Sequence, residues 1–196
     1  MPVFYTNCYG QVYVLHEGKT KTGKSRYYFS LKTDGPLAES IPNGYEAYER
    51  PGGMVYFRKI QKTPILPDEL KYVQKKIASC VDQEDEKSYP QLQSSFGAHV
   101  PGFVSSGMSA FINKYCTRFE ADIRGKEIIV YRVKGDGMPI MKFALIDEST
   151  REFIAYRWCF KGRIDGWIRI GSPGQLKMLV DRCCPALGTD NFYELM

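Results

Sequence analysis

"GKTKTGKSRYYFSLK", Gly18 to Lys32, admits two folds, and its second half decides between them. Gly18 to Ser25 matches the phosphate-loop pattern G-x-x-x-x-G-K-[ST] at every fixed position. Such a loop works because its glycines let backbone amides turn inward around phosphates, while the next helix directs its positive end at them. A helix is therefore required after Ser25. The chain continues instead with "RYYFSLK" and then "TDGP", an aromatic, β-like run ending in a turn, which leaves no room for a helix of about ten residues. With "QVYVLHE" (Gln11 to Glu17) on the other side of the Gly/Lys/Thr stretch, the simplest reading is a β-hairpin.

Working outward, "YEAYER" (Tyr45 to Arg50), "PGG" and "MVYFRKI" (Met54 to Ile60) repeat the pattern of strand, turn, strand. The period then changes. From Pro67 onward Leu70, Val73, Ile77 and Cys80 recur at helical spacing, with Pro67 suited to a first turn and Asp68 and Glu69 complementing the helix dipole. Residues 1–81 thus read as a four- or five-stranded antiparallel sheet closed by one helix. Residues 82–107, acidic at first and then rich in Ser, Gly, Pro and Gln, read as a linker or long loop.

Residues 108–196 read as a second unit of the same kind. "SAFINKYC" suggests a short helix. In "TRFEADIR", Phe119, Ala121 and Ile123 alternate with Arg118, Glu120, Asp122 and Arg124, as a strand with one wet face requires. "EIIVYRV", "IMKFALID", "EFIAYRWCF" and "GWIRIG" continue as strands, and "SPGQLKMLVDRCC" reads as a closing helix with Ser172 as N-cap, Pro173 at the first position and Gln175 completing a capping box. The expected fold class is α+β: two small antiparallel sheet-plus-helix units.

The combination of "EGKTKTGKSRYYFSLK", "IPNGYEAYERPGGMVYFRKI", "ADIRGKEIIVYR" and "WCFKGRIDGWIRIG" resembles a family of uncharacterised bacterial proteins in which a hairpin, a Gly-Tyr-Glu strand and a later Trp-containing hairpin recur. The likeness covers much of the chain apart from residues 82–107. It implies a bacterial cytosolic origin and nothing about catalysis.

Composition narrows the chemistry. The chain of 196 residues carries a net charge of +5, with 43% hydrophobic and 14% aromatic residues, enough for a real core. No stretch approaches the roughly 18 apolar residues that span a bilayer, and the first residues lack a signal-peptide pattern, so a cytoplasmic protein with no membrane partner is expected. Six scattered cysteines form no C-x-x-C pair and there are two histidines, so neither a metal site nor a cofactor is expected, and the thiols read as reduced and mostly buried. No Ser/His/Asp order, H-E-x-x-H motif, paired-carboxylate signature or dinucleotide fingerprint appears, so no catalytic residue is assigned. The vicinal Cys183 and Cys184, and Trp158 and Trp167 around "CFKGRIDG", read as core.

The basic surplus has a location. Residues 1–81 hold 12 Lys and Arg against 7 Asp and Glu, and Lys19, Lys21, Lys24 and Arg26 cluster at the hairpin tip. In the strand after it Arg26, Tyr28, Ser30 and Lys32 share one face and Tyr27, Phe29 and Leu31 the other. Cations beside an exposed aromatic suit a phosphate backbone and a stacked base. The expected function is a non-enzymatic binding or adaptor module with nucleic acid as the leading partner, single strands favoured, bound through Lys19, Lys21, Lys24, Arg26, Tyr28 and Lys32. Two alternatives stand beside it. One is a small phosphate-loop NTPase or phosphotransferase using residues 18–25 and Asp147, which ends the Walker-B-like "FALID"; the other is a protein-interaction module without ligand.

Overall fold

The structure, a computed structural model, describes residues 1–80, 117–134, 136–159 and 165–196. The expected 82–107 linker and the expected short helix in "SAFINKYC" lie outside the described residues. The chain divides into two units, Met1–Lys62 and Thr63–Met196. Antiparallel sheet dominates it, and among the described residues no helix is long and apolar enough to cross a membrane.

In the first unit β1 (Phe4–Thr6), β2 (Val12–Lys19) and β3 (Ser25–Ser30) form a three-stranded sheet in that order, and β4 (Tyr45–Glu49) pairs only with β5 (Val55–Lys59). The single larger sheet expected here is therefore two. After β3 the chain returns to β2, where Leu37 bridges His16, Ala38 N–H donates to Leu15 O (2.9 Å) and Glu17 N–H to Pro36 O (3.2 Å). Aromatic rings and polar clips do much of the holding in this small unit. Phe57 stacks on Tyr45 (centroids 4.7 Å apart) and meets Tyr27 (5.3 Å), while Tyr5 meets Phe29 edge-on (6.3 Å). Buried Asn7 donates to Gly53 O (2.7 Å) and accepts from Tyr9 N–H and Gln11 N–H; Glu49 accepts from Tyr5 OH and Cys8 N–H. Gly53 has φ +81°, and a Cβ there would lie 2.5 Å from the Tyr9 ring, so the "PGG" turn needs glycine on both counts.

The second unit is a meander of β6 (Arg118–Arg124), β7 (Glu127–Lys134), β8 (Asp136–Asp147), β9 (Glu152–Cys159) and β10 (Gly166–Gln175), each pairing with its neighbours in sequence. One face carries Phe119, Ile128, Val130, Met141, Phe143, Leu145, Phe153, Ala155 and Ile170 into a core shared with both helices. Helix α1 (Pro67–Ile77) supplies Val73 and Ile77, and α2 (Leu176–Cys183) supplies Leu176, Leu179, Val180 and Cys183.

Two sequence expectations are corrected here. Helix α1 belongs to the second unit, where Val73 and Ile77 enter the core under β6–β10, and so is not part of the unit it was expected to close. Helix α2 starts at Leu176, after Gln175, because Gly174 and Gln175 are still paired with Phe153 and Glu152 of β9. Ser172, Pro173 and Gln175 therefore belong to the irregular end of β10 and make no capping box. The strands at "TRFEADIR" and "EIIVYRV" form where they were expected, as does the described part of "EFIAYRWCF", whereas β8 begins ahead of "IMKFALID".

Candidate functional site

The tip of the β2–β3 hairpin is a closed turn. Lys19 pairs with Ser25, and between them Thr20 N–H donates to Lys24 O (2.8 Å), Gly23 N–H to Thr20 O (2.9 Å) and Lys24 N–H to Thr20 Oγ1 (3.1 Å). Gly23, at φ +80°, supplies the left-handed step that lets the chain reverse. The amides of Thr20, Gly23 and Lys24 are thus used inside the turn, and Ser25 opens a strand where a phosphate loop needs a helix. Residues 18–25 match the motif in letters and differ from it in shape.

Asp147 has a turn role as well. It sits at the end of β8 in the second unit, where Oδ1 accepts from Ser149 N–H (2.7 Å), Ser149 Oγ (2.6 Å) and Thr150 N–H (3.2 Å). Those bonds, led by the Ser149 hydroxyl, hold its carboxyl below the usual carboxylate range.

Behind the tip, Tyr28 stands opposite His16 in the strand register and stacks on it, with centroids 5.1 Å apart and planes 9° from parallel. His16 is 2% exposed and Tyr28 is 43% exposed, so the pair has a buried half and an open half. The Arg26 guanidinium lies 5.7 Å from the Tyr28 ring centre. On the other side His16 Nε2 is 2.8 Å from Lys32 O. A carbonyl only accepts, so Nε2 carries a proton and donates it to Lys32 O. Nδ1 is buried without a hydrogen-bond partner and faces Gly35, whose added Cβ would stand 3.8 Å away. The chain leaving β3 thus crosses over His16 at residues 32–35 before joining the far edge of β2.

The face expected to hold Arg26, Tyr28 and Lys32 is assembled around His16, a residue absent from the set expected there. Register would have found it, since a one-to-one hairpin count from the tip puts position 16 across from position 28. Glu17, beside it in sequence, points to the opposite face, where its carboxylate accepts from Tyr27 OH (2.8 Å) and raises the Tyr27 phenol above its ordinary value. Lys19, Lys21, Lys24, Arg26 and Lys32 are all exposed and make no ion pair among the described residues. Lys19, Lys21, Lys24 and Arg26 thus leave like charges gathered about the tip, a state that anions relieve.

The remaining candidates are occupied structurally. Cys183 and Cys184 are fully buried, and burial pushes both thiols upward. Trp158 and Trp167 face each other across β9 and β10 as an edge-to-face pair 5.0 Å apart. Arg157 is buried and donates to Leu195 O (2.9 Å). Among the described residues no group of three or more His, Cys, Asp or Glu is placed to hold a metal ion. His99, Lys161 and Arg163 lie outside the described residues. No protein-family model, curated protein or solved structure matches the chain.

Proposed function

We propose that the first unit is a non-enzymatic nucleic-acid-binding module that favours single strands, with the β2–β3 hairpin as its contact surface. The observation that carries this reading is the half-exposed Tyr28 ring, backed by buried His16 and bordered by Arg26, at the root of a tip whose cations have no acidic partner among the described residues. An aromatic face accepts any unpaired base, and neighbouring cations neutralise its phosphates, so binding of this kind is salt-sensitive and tolerant of sequence. The setting proposed for it is a bacterial cytosol: the residue resemblance supports a bacterial source, and the unbridged thiols of Cys80, Cys159, Cys183 and Cys184 support a reducing compartment.

Fluorescence anisotropy of labelled single-stranded and duplex oligonucleotides over a range of salt tests the proposal. Lys19, Lys21, Lys24, Arg26 and Lys32 acting together give a slope of log K against log[salt] near −3.5 for a single strand, from about 0.7 per phosphate. Replacing the first four with Ala flattens the slope to about −0.7 without unfolding the unit. Tyr28→Ala weakens single-strand binding more than duplex binding. Absence of binding at low salt, or binding untouched by the fourfold substitution, overturns the proposal and leaves a protein-interaction module as the better account.

A further inference from the structure

Three features of the proposed site meet at one residue that carries no ligand-binding chemistry of its own. His16 stacks on the inner side of Tyr28, its Nε2–H holds Lys32 O at 2.8 Å, and its Nδ1 lies against Gly35. Lys32 is gripped from the other end too, since its N–H donates to Ser30 Oγ (3.1 Å). We infer that His16 is the positioning residue of this site, fixing Tyr28 as a one-sided platform for a single unpaired base and fixing the backbone at Lys32 so that its ammonium borders that base. The inference rests on the nucleic-acid reading and adds to it a division of labour.

The physical argument is one of preorganisation. A tyrosine on the open face of a small sheet rotates about χ1 and χ2 and gives up that freedom when a base stacks on it. A parallel ring already seated against one face removes most of that freedom in the unbound protein. With one face taken by His16, the remaining surface accepts one base and not an intercalating pair. The same imidazole ties the crossing segment to β2, so the backbone at Lys32 is held by a part-buried hydrogen bond. Gly35, at φ +109°, leaves the crossing close above the ring in a backbone conformation that side chains rarely adopt.

The two functions of His16 separate by substitution. His16→Gln keeps a terminal N–H for Lys32 O and removes the ring. His16→Phe keeps a ring against Tyr28 and removes the N–H. With oligothymidylate and a mixed-sequence duplex as probes, His16→Gln keeps the wild-type salt slope and loses several-fold, up to roughly tenfold, of the single-strand preference, the cost of ordering one side chain on binding. His16→Phe keeps the preference and lowers the magnitude of the slope by about 0.7, one phosphate. A ring merely filling space predicts neither split. Gly35→Ala offers a second route to the crossing with His16 intact, and is expected to behave as His16→Phe does. In the unbound wild type, nuclear Overhauser contacts between the His16 and Tyr28 ring protons report the stack directly. Their absence, or variants matching a binding wild type in both slope and preference, overturns the inference alone. A wild type that binds neither probe overturns the nucleic-acid reading and the inference with it.

Discussion

Replacing Arg151 tests how the second unit holds its first helix. Arg151 is the last residue of the β8–β9 turn and has φ +54°, a left-handed conformation that costs a non-glycine residue about 1–2 kcal/mol. Its guanidinium offsets that cost by donating Nε–H to Glu69 Oε1 (3.0 Å), a second N–H to Glu69 Oε2 and Nη1–H to Pro64 O (3.2 Å). Glu69 sits in the first turn of α1 and also accepts from Leu66 N–H (2.8 Å), so the ion pair and the start of the helix are one network. The two side chains are 26% and 16% exposed, which places the pair between a surface bridge and a buried one. A charge-assisted bidentate contact of that kind is worth about 2–3 kcal/mol once solvent screening is allowed for. Arg151→Ala loses the contact and keeps the left-handed strain. Arg151→Gly loses the contact and relieves the strain, offset in part by the greater freedom of unfolded glycine, and is therefore expected to be about 0.5–1 kcal/mol more stable than the alanine variant. The chain has two tryptophans, Trp158 and Trp167, both in this unit, so urea unfolding monitored by tryptophan emission reads the second unit without interference from the first. Alanine equal to or better than glycine, or a double-mutant coupling between Arg151 and Glu69 below about 0.5 kcal/mol, would refute the account.

Turns and thiols give further expected outcomes. Gly53→Ala is expected to destabilise the first unit by at least about 1–2 kcal/mol from the left-handed backbone alone, with the clash at Tyr9 added, seen as a lower midpoint in thermal melts monitored by tyrosine circular dichroism. Wild type, Lys24→Ala and Asp147→Asn are expected to be indistinguishable in ATP and GTP turnover, all at the level of a blank as measured by phosphate release; turnover in the wild type that either substitution abolishes would restore the phosphate-loop reading. Because the folded Asp147 carboxyl is held below its ordinary value, the stability it contributes is fully present above the ordinary carboxylate pKa and is lost as pH falls through the lowered one; a fluorescence pH titration of Asp147→Asn against wild type should diverge above that window and converge below it. Thiol labelling of the native protein should reach exposed Cys8 well before buried Cys183 and Cys184, so that Cys8→Ser removes a fast phase and Cys184→Ser removes none.

The strands were readable because alternation is a local signal. In "TRFEADIR" each apolar residue declares its face without knowledge of any partner, and the hairpin at residues 18–25 was readable because seven β-like residues exclude the helix that the motif needs. Properties set by partners far apart in sequence escaped. Leu70, Val73 and Ile77 announce a helix and not which sheet it covers; that depends on the apolar area of β6–β10. Ser172, Pro173 and Gln175 spell a helix start, yet pairing of Gly174 and Gln175 with β9 holds the chain extended until Leu176. At the candidate site the cations and Tyr28 were legible as composition at a turn. His16 was not, because its role arises from a cross-strand stack and from a crossing segment that returns over it, neither of which has a local signature.

The order of β6 to β10 also bears on how the second unit is made. Every strand pairs with the one synthesised just before it, so the sheet can zip up in the order in which it leaves the ribosome, without waiting for distant partners. The helices break that sequence. Helix α1 emerges long before its sheet exists and α2 emerges after all five strands, so the face bearing Met141, Phe143 and Phe153 stays without Leu176, Leu179 and Val180 until the whole sheet has been made. A nascent chain stalled before residue 176 therefore presents a sticky half-built core, and it is in that interval that a holdase chaperone would have most to do.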